Sequence, residues 1–116
     1  MPDDEYGSPT NAKDLAMAIL TIIPSLNNNK IQIYNFSNTG ICSRYDLVNE
    51  INKISEEEAI IIPISNSNSN VKRPKFSALD SNKITKKFNL KIKNWKDSLF
   101  DHIEERYINK SSSYEL

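Results

Sequence analysis

The chain of 116 residues carries only two glycines, Gly7 and Gly40, and this scarcity constrains it more than any other feature. A loop that cradles phosphates with its backbone needs several glycines within a few positions, for the tight turn and for close approach to the ligand. Gly7 and Gly40 stand too far apart to form one. A backbone-built dinucleotide or P-loop site is therefore excluded. What remains is a single domain with a real but modest core, one that must present its chemistry through side chains. The 15 basic and 15 acidic residues balance, which gives no reason to expect nucleic acid or an anionic membrane as partner. Cys42 is the one cysteine, so an internal disulfide and a cysteine-built zinc site are both ruled out. No apolar run follows Met1 or reaches transmembrane length, and the default compartment is the cytosol.

The hydrophobic spacing predicts an α/β order of helix, strand, helix, strand and two helices. Asn11 is placed to cap a first helix reaching about Ile23, with Asp14 in its first turn. Leu15, Ile19, Ile22 and Ile23 form one apolar stripe, and Pro24 with Asn27-Asn28-Asn29 ends it. Ile31 to Phe36 reads as a strand covered on both faces, closed by the turn Ser37-Asn38-Thr39-Gly40. Ser43 and Asp46 have the form of a capping box before Leu47, Ile51 and Ile54. Glu56-Glu57-Glu58 is the solvated exit, and Ala59 to Ile62, ending at Pro63, reads as a short buried strand. The Ser/Asn-rich stretch from Ser65 to Asn70 is a flexible loop. Asp80 is a cap for a short helix bearing Ile84 and Phe88. Asn94 is a cap for a last helix showing Trp95, Leu99 and Ile103. The lysines between Lys83 and Lys96 read as a solvated helix face. Asp3-Asp4-Glu5 reads as a solvated lead-in, and His102 has no nearby second histidine or cysteine to share a metal. A disordered tail is expected over 111–116.

Two short patterns carry the chemistry. In Gly7-Ser8-Pro9-Thr10, Pro9 fixes its own φ and pushes Ser8 out of the helical region, delivering the chain into the first helix. In Arg73-Pro74-Lys75-Phe76-Ser77, a planar, permanently charged guanidinium suits bidentate contact with a phosphate or carboxylate. Between and beyond them come Asp14-Leu15-Ala16, Tyr34-Asn35-Phe36-Ser37-Asn38-x-Gly40, Cys42-Ser43-x-Tyr45-Asp46-Leu47, Pro63-Ile64, Ser77-x-Leu79-Asp80, and Trp95 with Leu99. In that order, from about Asp3 to about Leu99, they resemble the C-terminal part of the dTDP-4-dehydrorhamnose reductase family of extended short-chain dehydrogenases. One residue departs from the pattern. Arg44 stands where that family usually carries a tryptophan.

The resemblance implies a small partial α/β domain of two to three short strands and four helices. This would be the substrate-side lobe of such an enzyme without its Rossmann domain, spanning about 1–110. The family reduces a 4-keto group on a dTDP-linked deoxysugar with NADPH, using a tyrosine and a lysine four residues later. Four residues after Tyr6, Tyr34, Tyr45 and Tyr107 stand Thr10, Asn38, Asn49 and Ser111. There is no Tyr-x-x-x-Lys. The expectation is a chain that begins after those elements, holds no cofactor or catalytic residue of its own and reduces nothing by itself. Carried over by resemblance, Arg73 would meet the diphosphate and Ser77 would support it. Ser8 and Thr10 would border the sugar or nucleotide pocket. The strand at Ile31–Phe36 would lack its sheet neighbours, which points to a homo-oligomer or to association with an N-terminal Rossmann half. The alternative is a stand-alone nucleotide-sugar binding or structural module without activity.

Overall fold

The elements are held together mainly by hydrogen bonds from loops and caps. In this computed structural model, residues 1–27, 30–65 and 70–113 are described, with side chains as far as Tyr107. Four helices and a two-stranded sheet form the small α/β lobe. They are β1 (Tyr6–Gly7), α1 (Ala12–Ile22), β2 (Cys42–Ser43), α2 (Arg44–Ile54), α3 (Asn82–Phe88) and α4 (Trp95–Ser113), with a 3₁₀ turn over Ile23–Ser25 after α1. β1 and β2 are antiparallel, with Tyr6 opposite Ser43 and Gly7 opposite Cys42. On its other side Tyr6 forms a parallel bridge to Phe76, with Tyr6 N–H donating to the Lys75 carbonyl at 2.8 Å and Ser77 N–H to the Tyr6 carbonyl at 2.9 Å.

The helix starts follow the caps expected of them. Asn11 accepts from Lys13 N–H, and Ser43 with Asp46 makes the full reciprocal capping box. Asn94 Oδ1 accepts from Lys96 N–H at 3.0 Å. At α3 the cap residue is Ser81, which makes no capping bond. Asp80, expected there, instead accepts from Asn82 N–H at 2.8 Å in a turn one residue earlier. α4 reaches Ser113, so the first half of the expected tail is helical and 114–116 lie outside the described residues. Asn28 and Asn29 and most of the Ser/Asn-rich loop, 66–69, also lie outside them.

The two strands expected from hydrophobic runs are not strands. Ile31–Phe36 and Ala59–Ile62 join no ladder, and Ile31 and Ile60 are 95% and 91% exposed. An extended segment becomes a strand only when a neighbour takes its N–H and C=O groups, and no described segment lies beside these on both sides. Met1 and Asp3 reach the end of the second run instead, through Ile64 N–H to the Met1 carbonyl at 2.9 Å and Asp3 N–H to the Ile64 carbonyl at 3.2 Å. The stripe of α1 also faces outward: Leu15, Ile19 and Ile23 are exposed and Ala18 is the buried position. The accessible surface is 9148 Å², where a folded chain of this mass exposes about 6,500 Å². The radius of gyration is 17.3 Å against about 13 Å for a compact domain of this length. Much apolar surface that periodicity assigns to a core is therefore left open.

The buried centre is small and unusually polar. It holds Ala18, Cys42, Ile84 and Trp95 beside Ser37, Asn38, Ser43 and Ser98. Asn38, 1% exposed, accepts Asn11 N–H at 2.8 Å on its carbonyl oxygen. Its amide donates to Asp14 Oδ2 at 2.8 Å and to the Lys93 carbonyl at 3.2 Å. Ser98 Oγ also donates to Asp14 Oδ2. Burial works against ionisation of Asp14, but the hydrogen bonds from Ser98 and Asn38, helped by the charges of Lys93 and Lys13, hold its pKa below 3.8. A folded-state pKa below the unfolded one contributes stability that is fully present above 3.8 and is lost as pH falls through the lower folded value. In urea unfolding followed by circular dichroism, the stability gap between wild type and Asp14→Asn is expected to be full at neutral pH and to shrink below pH 3.8. A gap that stays constant to pH 2.5 would remove the charged form of Asp14 from the account.

Candidate functional site

A cleft of about 280 Å³ opens along β1, with Ser8, Arg44, Arg73 and Ser77 in its lining beside Glu5 and Cys42. Three segments meet there because Tyr6 is paired on both sides. Gly7 makes the approach of the third segment possible, since a Cβ at that position would lie 2.9 Å from Ser77 Oγ. The turn into α1 is closed by its own hydroxyls. Ser8 Oγ donates to the Gly40 carbonyl at 2.8 Å and Thr10 Oγ1 to the Ser8 carbonyl at 3.2 Å.

Of the four site residues expected from the sequence, Arg73, Ser8 and Ser77 share the cleft and Thr10 stands behind the turn, outside its lining. Ser77 does not bond Arg73; its hydroxyl donates to the Tyr6 carbonyl at 3.3 Å. Its role here is to hold the wall together. Arg73 makes no ion pair among the described residues. Two charged residues of the cleft lay outside the expected set. Arg44 opens α2, and its Nε lies 3.9 Å from Glu5 Oε2. Arg44 had a signal, as the one departure from the resembled pattern. Glu5 had none, because a terminal acidic run reads as solvated. Its neighbour Asp3 accepts from Ser65 Oγ at 2.8 Å, and the described residues contain no cluster of three potential metal ligands.

Neither glycine offers a phosphate cradle. Gly7 is closed over by Ser77, and a Cβ on Gly40, whose φ is +88°, would fall 2.7 Å from Asn94 Nδ2 and 2.8 Å from Trp95 Cδ1. The residues present do not fit a nicotinamide dinucleotide. A cleft lined by two arginines does fit a small anionic ligand held by side chains.

The lobe is thus a small α/β unit with two arginines lining one cleft. The profile of the RmlD substrate binding domain matches residues 1–108, and the chain belongs to that family. It is 31% identical over 105 residues, 89% of its length, to the spore coat polysaccharide biosynthesis protein SpsK of Bacillus subtilis, of which it covers 35%. Among solved structures it superimposes with a TM-score of 0.80 and 26% identity on dTDP-4-dehydrorhamnose reductase of Bacillus anthracis in complex with NADP, covering 90% of this chain and 37% of that one. The corresponding enzyme of Clostridium acetobutylicum gives a TM-score of 0.79 at 26% identity, with 92% and 39% covered. The chain therefore spans little more than a third of the length of these relatives. No helix among the described residues is long and apolar enough to cross a membrane.

Cys42 lines the cleft from below but is 5% exposed. Burial, with a smaller contribution from the Asp46 charge, pushes its thiol up to about 11. Since the thiolate is the reactive form, native Cys42 is expected to react with a thiol-disulfide reagent at pH 8 at least tenfold more slowly than the urea-unfolded chain. Equal rates would show that the cleft floor opens readily.

Proposed function

We propose that this chain is the substrate-side lobe of a nucleotide-sugar reductase and binds a dTDP-linked sugar in the cleft along β1. The single observation that carries the reading is Arg73, a guanidinium without an ion-pair partner among the described residues, in a cleft walled by the Ser8 turn and the Ser77 segment. Its planar fork matches a diphosphate oxygen pair. Ser8 borders the sugar or nucleotide, while Ser77 and Thr10 keep the two walls in place. The relatives named dTDP-4-dehydrorhamnose reductase support the ligand class. NADPH, the tyrosine and the lysine of the resembled family have no counterparts in this sequence, so the lobe carries out no reduction alone. The hydride step calls for dinucleotide-binding residues beyond those of this lobe.

Titration calorimetry of dTDP and dTDP-rhamnose into this chain, with Arg73→Ala beside it, tests the reading. Saturable binding weakened more than about tenfold by the substitution is expected, as for loss of a charge-assisted bidentate contact. Absence of heat with both ligands, or equal binding by the variant, would overturn it.

A second reading, of a structural or interaction module, draws on the open apolar surface. A larger hollow of about 950 Å³ has Ile22, Leu26, Ile31 and Phe88 in its walls and Lys30, Lys83 and Lys87 at its edge. The surplus of exposed area is several times the about 800 Å² that a partner contributes to a standard interface. Association is therefore part of the proposal, as a homo-oligomer or with a Rossmann half. Sedimentation velocity at rising concentration is expected to show mass-action assembly of the chain or a stable complex with that half. A clean monomer throughout, indifferent to the added half, would refute it.

A further inference from the structure

We propose that Arg44 is a second anchor for the diphosphate, gripping it opposite Arg73, with Glu5 as the counter-ion that the ligand displaces. This rests on the dTDP-sugar reading above. β1 has one neighbour on each side, and each neighbour brings an arginine. Arg44 directly follows Ser43, which is paired with Tyr6, while Arg73 stands three residues before Phe76, which bridges Tyr6 from the other flank. Both arginines line the same cleft, one on each flank of β1.

Three observations set Arg44 apart from a solvated arginine. It is the first residue of α2, where the positive end of the helix dipole disfavours a cation and favours an anion beside it. Its one ion pair among the described residues, with Glu5, is held at 3.9 Å, at the outer limit of such contacts, and a partly exposed pair of that length is weak. The backbone donors at this helix start are also engaged, because Ser43 Oγ accepts from Asp46 N–H and Asp46 Oδ2 from Ser43 N–H. An anion arriving there must be held by the guanidinium rather than by the helix. Two arginines against one glutamate leave the cleft with a net positive charge. A diphosphate carries one acceptor group for each fork. A monophosphate occupies only one.

The experiment measures dTDP and dTMP binding to wild type, Arg73→Ala, Arg44→Gln, Glu5→Gln and the Glu5→Gln/Arg44→Gln double variant, at two salt concentrations. Arg44→Gln is expected to weaken dTDP about tenfold and dTMP by less than about threefold, with a shallower salt dependence. Glu5→Gln is expected to tighten dTDP, and that gain is expected to vanish in the double variant. Wild-type dTDP affinity in Arg44→Gln, with binding still lost in Arg73→Ala, overturns the second anchor and leaves the first. Failure of wild type to bind either nucleotide overturns the binding reading itself. If Arg44→Gln does not fold, Glu5→Gln decides alone, since unchanged or weaker dTDP binding contradicts the displaced counter-ion.

Discussion

Four consecutive residues, Ser37 to Gly40, hold this lobe together. Ser37 N–H donates to Ser81 Oγ at 3.0 Å, at the start of α3. Asn38 joins the start of α1 to the Lys93 carbonyl. Thr39 exchanges backbone bonds with Lys93 and Trp95, at 3.0 and 2.9 Å, at the start of α4. The Gly40 carbonyl accepts from Ser8, fixing the turn that forms one wall of the cleft. Three helix N-termini and the cleft-lining loop therefore converge on one tetrapeptide. A buried amide that spends both its donors and its acceptor is costly to leave unsatisfied, so these contacts form together or not at all. Among the described residues no buried side-chain nitrogen or oxygen lacks a partner.

A hub of this kind lets the lobe keep its shape with little apolar core. Among the described residues only Ala18, Cys42, Ile84 and Trp95 are buried apolar residues, while Ile31, Ile33, Ile60 and Ile62 are open. Hydrogen bonds specify geometry well but contribute modest net stability, whereas each large aliphatic side chain withdrawn from water contributes about 1.5–3 kcal/mol. The architecture is determined inside the chain. The large aliphatic side chains that could add such stabilisation lie on surfaces that the chain itself leaves uncovered.

The same division explains what could be read from sequence. Helix starts were legible, because a cap is settled by residues within three positions: Asn11 and the Ser43–Asp46 box stand as spacing places them. The order of short motifs was enough to reach the family. Strand positions were not legible. Ile31–Phe36 and Ala59–Ile62 have strand composition, but a ladder is a property of two segments, and these lack the second. The true ladder, Tyr6–Gly7 with Cys42–Ser43, is two residues long and leaves no periodic trace. The Ser37–Gly40 segment reads locally as an ordinary turn; its role depends on partners at least 24 residues away along the chain. In the cleft, Arg73 and Ser8 were found through motifs, whereas Glu5 was hidden because nothing local distinguishes a paired carboxylate from a solvated one.

The cleft and the hub share one backbone path, and this bears on how a ligand would be felt. Ser8 lines the cleft and bonds the hub with its hydroxyl, and Cys42 sits two residues beyond Gly40 in the strand that leads into Arg44. A diphosphate drawing Arg44 and Arg73 toward each other would pull on both neighbours of β1, through pairings of only a few bonds each. Such a sheet is too short to resist alone. The resistance comes from Gly40, seated against Trp95 and Asn94 with no room for a side chain. The rigidity of the site is thus borrowed from the start of α4. If the cleft binds as proposed, substitutions at Gly40 or Trp95 would lower ligand affinity although neither residue lines the cleft, because they release the wall rather than the anchor.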